Sequence, residues 1–162
     1  GLLAGLVADE QTDIVNHHRA QAEVRHSIDH PRSYLESNLV GTFELLEAAR
    51  AYQPQHMLLA STSSAYGANT EMPYRETMKA DHPLSFYAAT KKATEATAHS
   101  YAQLLDLPVT MFRFFTAYGP LVRPDMALLI FTRATLEREP IDVYNHGDMQ
   151  HDFTAVVDLH EA

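Results

Sequence analysis

Met57-Leu58-Leu59-Ala60-Ser61-Thr62-Ser63-Ser64-Ala65-Tyr66-Gly67 runs from a continuous apolar stretch of strand length straight into a polar turn that ends on glycine. Such a run suits a strand buried on both faces, as in a parallel sheet covered by helices. Before it, Asp13-Ile14-Val15 makes a short strand. Pro31 opens a helical pattern carrying Tyr34, Leu35, Asn38, Leu39, Thr42, Phe43, Leu46 and Ala49, which Pro54 closes. After it, a loop passes Pro73 and Pro83, and Ser85 to Leu105 is Ala-rich and helical. Val109-Thr110-Met111-Phe112-Arg113-Phe114-Phe115 is β-branched and aromatic enough for a strand, which Tyr118-Gly119-Pro120 breaks. Met126 to Arg138 reads as a helix whose Leu128, Leu129, Phe131 and Leu136 belong to a core. Ile141 to Tyr144 reads as a strand and Asn145 to Asp148 as a turn. The alternation predicts an α/β fold with a parallel sheet, without repeats or an interdomain linker.

The chain has 162 residues, 46% hydrophobic and 20% charged, a globular balance. With no cysteine there is no disulfide framework and no Cys-based zinc site. Twelve basic against twenty-one acidic residues give a net charge of −9, the wrong sign for gripping a nucleic-acid backbone. The apolar opening Leu2 to Ala8 has no basic flank, meets Asp9-Glu10 and is too short to span a bilayer, so no membrane role and a cytoplasmic location are expected. Starting on Gly1 leaves open that the natural N-terminus lies elsewhere.

Two features carry chemistry. Tyr87 and Lys91 are four residues apart, which on a helix puts phenol and ammonium on one face. Alone this is weak, because eight tyrosines and Lys79, Lys91 and Lys92 produce such a spacing by chance in about one chain in seven. The hydroxyl cluster from Ser61 to Ser64 strengthens it, since the carboxyl ends of strands are where open α/β sheets bind ligands. His26 and His30 also share a helical spacing, but no third ligand or His-Glu-x-x-His pattern accompanies them, so no metal is expected.

From about residue 12 onward the sequence resembles the extended short-chain dehydrogenase/reductases of the NAD-dependent epimerase/dehydratase family, most of all the UDP-glucuronate 4-epimerases. The resemblance rests on Arg113-Phe114-Phe115-Thr116-Ala117-Tyr118-Gly119-Pro120, on Arg123-Pro124-Asp125-Met126-Ala127 and on Pro140-Ile141-Asp142-Val143-Tyr144-Asn145-His146-Gly147. It implies a Rossmann-like doubly wound sheet that lacks its first three strands and most of the C-terminal substrate domain. Residues 1–162 would form a partial NAD(P)-binding domain, with 120–162 beginning the sugar-nucleotide part.

Carried over by position, the resemblance makes Tyr87 the acid/base, Lys91 the group that lowers its pKa and binds the nicotinamide ribose, and Thr62 the hydroxyl that bonds the sugar oxygen. It assigns NAD to His17, Ala20, Asn38, Ser61, Tyr87, Lys91 and Phe114, and the UDP-sugar to Ser63, Ser64, Thr116 and Arg123. Arg123 faces the sugar carboxylate, which a guanidinium binds through two parallel hydrogen bonds; Arg113 has a structural or phosphate-side role. Ser63 and Ser64 stand where nucleotide-sugar 4,6-dehydratases carry an acidic pair, which favours epimerisation at C4 over dehydration; a nucleotide-sugar dehydratase or decarboxylase is the alternative. His18, Arg19, Glu23 and His151 depart from the family's pattern, and no Gly-rich dinucleotide turn occurs. The expectations are therefore a working 4-epimerase seen as an incomplete chain, inactive in isolation, or a degenerate fragment of that fold. Relatives imply a homodimer through helices 31–51 and 85–105.

Overall fold

The run at 57–60 is the central strand of a parallel sheet. In the computed structural model, which describes residues 2–10, 12–121, 123–148 and 151–161, the chain divides into two compact units, Gly1–Phe114 and Phe115–Ala162.

The first unit opens with α1 (Leu2–Glu10) and β1 (Ile14–His17). Short α2 (His26–Asp29) precedes α3 (Pro31–Tyr34), which has proline in its first turn, where a missing N–H costs nothing. The expected single helix over 31–51 is not uniform: a π-helical turn, Leu35–Val40, separates α3 from α4 (Gly41–Tyr52). Then come β2 (His56–Ala60), a 3₁₀ turn over Ser63–Tyr66, α5 (Phe86–Leu105) and β3 (Val109–Phe112). Strand order is β1-β2-β3, parallel throughout, with Val15 opposite Met57 and Leu59 opposite Met111.

Alternation along β2 sends Met57 and Leu59 into a core with Leu45, Leu46 and Ala49 of α4, Ala98 of α5 and Leu107. Two caps frame α5: the Ser85 hydroxyl accepts from the Ala88 amide at 3.1 Å, and Asp106 ends the helix in a left-handed conformation.

β3 is shorter than the Val109–Phe115 run because its partner ends. Beyond Ala60 the neighbouring backbone coils into the 3₁₀ turn, leaving only single bonds, Ser61 N–H to Phe112 O at 2.7 Å and Ser63 N–H to Phe114 O at 2.8 Å. Gly67, which closes that turn at φ +56°, admits no side chain: a Cβ there would lie 1.9 Å from the carbonyl oxygen of His82.

The second unit contains β4 (Thr116–Tyr118), α6 (Ala127–Glu137), a 3₁₀ turn over Tyr144–Gly147, β5 (Phe153–Ala155) and α7 (Val156–Glu161). The expected strand over Ile141–Tyr144 is absent. Val143 is extended, but β4 takes its parallel partner from β5, with Thr116 opposite Phe153, and a lone extended segment has no ladder to join. The expectation that α6 belongs to a core is also corrected: none of its residues is buried, and Leu136 is 80% exposed. Among the described residues no helix is long and apolar enough to cross a membrane.

Candidate active site

Lys91 is the anchor. It sits on the face of α5 that meets the sheet, 6% exposed, and its Nζ donates to the carbonyl oxygen of Ala60, the last residue of β2, at 2.7 Å. Burial lowers its pKa to about 8. One turn earlier is Tyr87, also buried, with Tyr34 edge-on to its ring at 6.2 Å between centroids. Two residues beyond Ala60 is Thr62, buried and extended, whose hydroxyl oxygen caps the 3₁₀ turn by accepting from the Ser64 amide at 3.2 Å. Tyr87 and Lys91 thus lie one turn apart on α5, and Thr62 directly precedes the 3₁₀ turn on which α5 packs.

Around them lie the ends of the other two strands. His17, the last residue of β1, has a buried Nε2 without a hydrogen-bond partner among the described residues. Burial, and then the positive charges of Lys91, His18 and Arg19, hold its pKa below the usual histidine range. His18 stacks on Phe114, which in turn stacks on Phe112, with centroids 5.9 Å and 5.4 Å apart. Ala20 is half-buried in the loop after β1.

Asn38, 1% exposed in the π turn, ties this loop to α5. Its Oδ1 accepts from the Gln21 amide at 2.8 Å, and its Nδ2 donates to the Gln21 carbonyl and to Thr90 Oγ1, each at 3.1 Å. Thr90 in turn donates to the Tyr87 carbonyl at 2.8 Å. A π turn widens the helix locally and is frequent at functional sites.

Ser61 behaves differently from its neighbours: its hydroxyl donates to Glu95 Oε1 at 2.6 Å, on the α5 side. Glu95 also receives the Arg113 guanidinium through two bonds of 2.9 and 2.8 Å, and Arg113 lies over the Tyr66 ring at 4.8 Å. Sequence reading passed over Glu95, although it continues the Tyr87, Lys91 spacing by one more turn, which was the available signal. Arg113 has a structural partner here, in keeping with the first of its two expected roles.

Ser63 and Ser64 are half-buried in the 3₁₀ turn. Thr116 and Arg123 belong to the second unit. There the Thr116 hydroxyl meets His151 Nε2, and exposed Arg123 pairs with Asp125 at 2.8 Å. The rings of His26 and His30 lie tilted to each other with centroids 4.5 Å apart. Among the described residues no group of three or more His, Cys, Asp or Glu side chains could hold a metal ion.

A profile of the NAD dependent epimerase/dehydratase family matches residues 1–162. The chain belongs to that family. Protein CapI of Staphylococcus aureus is 52% identical over 160 residues, covering 99% of this chain and 48% of that protein. A probable UDP-glucuronate 4-epimerase of Rhizobium meliloti (strain 1021) is 51% identical over 152 residues, 94% of this chain and 45% of the relative. The crystal structure of UDP-glucuronic acid 4-epimerase from Bacillus cereus, in complex with UDP-glucuronic acid and NAD, superposes with a TM-score of 0.87 at 33% identity, over 97% of this chain and 49% of that one. This family member thus spans about half the length of the curated relatives it matches, and shares with the solved structures a Rossmann-like α/β fold.

Proposed function

We propose that this chain serves NAD-dependent epimerisation at C4 of a UDP-hexuronic acid, converting UDP-glucuronate to UDP-galacturonate. The carrying observation is the buried Lys91 ammonium at the end of β2, with Tyr87 one turn before it on α5 and Thr62 two residues past its acceptor Ala60. That is a base, a cation that favours the base's ionised form, and a hydroxyl, gathered at the carboxyl end of a parallel strand.

The residues present fit the cofactor. His17 Nε2, at the end of β1, is a buried polar atom without a partner among the described residues, and Phe114 supplies an aromatic wall beyond β3. His17, Ala20, Asn38, Ser61, Tyr87, Lys91 and Phe114 would hold it. For Ser61 the contact falls to the carbonyl, because its hydroxyl and amide are both bonded inside the fold. NAD held there would supply the hydride acceptor, and then the hydride donor, for C4.

The chain's own part is proton handling. The Tyr87 phenolate accepts the proton of the 4-hydroxyl as that carbon is oxidised to a ketone, and returns it once the ketone is reduced from the opposite face, so no proton or electron is consumed over the cycle. Thr62 donates to the sugar oxygen, which steadies the developing charge. Ser63, Ser64 and Thr116 bond sugar hydroxyls. Arg123 exchanges Asp125 for the sugar carboxylate. Residues 120–162 begin the sugar-nucleotide part, and helices 31–51 and 85–105 pair the chain as a homodimer, a reading that the exposure of Leu35, Val40, Phe43, Phe86 and Leu104 on them supports.

The test places residues 12–162 in a full-length relative and follows both uronic epimers by NMR. Tyr87→Phe is expected to lower kcat by more than about a hundredfold, equivalent to about 2.7 kcal/mol in the barrier. A loss within tenfold removes Tyr87 from the base role. A parent that binds NAD without forming UDP-galacturonate identifies the chain as an inactive branch of the family, and a product lacking water or carbon dioxide rejects epimerisation.

A further inference from the structure

Glu95 is a half-buried residue whose carboxylate the chemistry above does not use. Its side chain is 10% exposed, and every neighbour in its set of bonds belongs to a segment that carries a proposed site residue. On α5 it lies one turn beyond Lys91 and two beyond Tyr87. From the sheet it receives the Ser61 hydroxyl at 2.6 Å, the residue directly before Thr62. From the far side Arg113, directly before Phe114, holds both of its oxygens, and Lys92 Nζ stands 3.3 Å from Oε2.

Lys91 to Ala60 and Glu95 to Ser61 therefore form two rungs, one helical turn apart, between α5 and consecutive residues of the chain leaving β2. On the sheet side this segment is tethered by the Ser61 and Ser63 amides to the Phe112 and Phe114 carbonyls, while on the α5 side a single rung would leave it free to turn about the Ala60 carbonyl. Two rungs fix its direction, and with it the peptide that carries the Thr62 hydroxyl.

We propose that Glu95 is a positioning residue: acting through Ser61, it fixes the Thr62 hydroxyl relative to Tyr87 and Lys91. Arg113 keeps the carboxylate aimed at Ser61. Burial alone would push the Glu95 pKa up, but the Arg113 and Ser61 bonds and the charges of Arg113 and Lys92 outweigh it, so the carboxylate stays ionised. The role in turnover rests on the 4-epimerase reading; the placement of Thr62 does not, and it is measurable without any ligand.

The reporter is the Ser64 amide, which donates to Thr62 Oγ1. Hydrogen exchange on the 162-residue chain is compared at Ser64 and at Met57, whose amide bonds the Pro108 carbonyl in the body of the sheet. Ser61→Ala and Glu95→Leu are each expected to speed exchange at Ser64 at least tenfold relative to Met57, and the double variant no further, because both remove one rung. Glu95→Gln keeps an oxygen for Ser61 and is expected to return the ratio to within threefold of the parent. An unchanged Ser64 in Ser61→Ala, which barely perturbs packing, overturns the proposal, as does equal acceleration at both amides. In the epimerase assay Ser61→Ala is expected to lower kcat about tenfold with KM for the UDP-sugar within twofold. A parent without epimerase activity defeats the functional reading while the exchange ratio still decides the clamp.

Discussion

An ammonium buried at the end of a strand, with one carbonyl for company, is held against its own hydration. Burial holds the Lys91 pKa down to about 8, below the ordinary lysine value of 10.5, so the folded state binds its proton less well than the unfolded state. Stability rises with pH wherever the unfolded state carries more protons. Measured against Lys91→Met by urea unfolding, the parent should gain about 3 kcal/mol between about pH 8 and about pH 10.5, and the gap should be flat below pH 8. His17 acts at the other end of the scale. Its pKa is depressed from 6.5 by burial and by the cations beside it, so its contribution is complete above pH 6.5 and is lost as the pH falls below it. His17→Leu should flatten that acid limb. For the proposed reaction, Arg123→Ala should shift the kcat/KM preference for UDP-glucuronate over UDP-glucose by about 2 kcal/mol, since only one of the two sugars offers a carboxylate. An unchanged ratio returns Arg123 to its pairing with Asp125.

The turn from Ser61 to Gly67 matters to the site as an element, because it both carries Thr62 and stops β3. Its closure depends on Gly67. An alanine there would meet the His82 carbonyl at 1.9 Å and take up a φ of +56°, and no flexible side chain is available to yield. Gly67→Ala should cost at least about 1–3 kcal/mol in thermal or urea unfolding. The helices contrast sharply in the same measurement. Leu46 of α4 is fully buried, so Leu46→Ala should cost about 2–5 kcal/mol. Leu136 of α6 is 80% exposed, and Leu136→Ala should change stability by less than about 0.5 kcal/mol. The core role read from the α6 pattern predicts the reverse for Leu136: helical apolar spacing says which residues share a face, and says nothing about what that face meets.

For the molecule as a whole, the exposed Phe43, Phe86 and Leu104 predict self-association through the helices flanking the sheet. Sedimentation equilibrium should give twice the chain mass, and Leu104→Glu together with Phe43→Glu should reduce it to that of a single chain. The strand order carries a related consequence. β1 and β3 are the outer strands of their sheet among the described residues, and Ile14 is 59% exposed on β1, so association through an open strand edge competes with the helical face. Retention of the dimer in the double variant would favour the edge.

Local periodicity made much of this legible in the chain alone. Met57 to Ala60 reads as a strand, Ser85 to Leu105 as a helix, and Tyr87 and Lys91 as sharing a face, because these follow from spacings of one to four residues; that only Met57 and Leu59 of the strand are fully buried, with its other residues half-buried, was not legible there. The family was legible too, from the long segments at 113–120, 123–127 and 140–147. Other features arise between residues far apart in sequence: Ser61 and Glu95 are 34 positions apart, Arg113 and Glu95 18, and Asn38 and Thr90 52. No periodicity encodes such pairs, for they exist only once α5 has docked on β2. The same holds for strands. Phe153–Ala155 pairs with β4 while the better-looking Ile141–Tyr144 run stays unpaired, since an extended segment becomes a strand only when a neighbour supplies the other half of its hydrogen bonds.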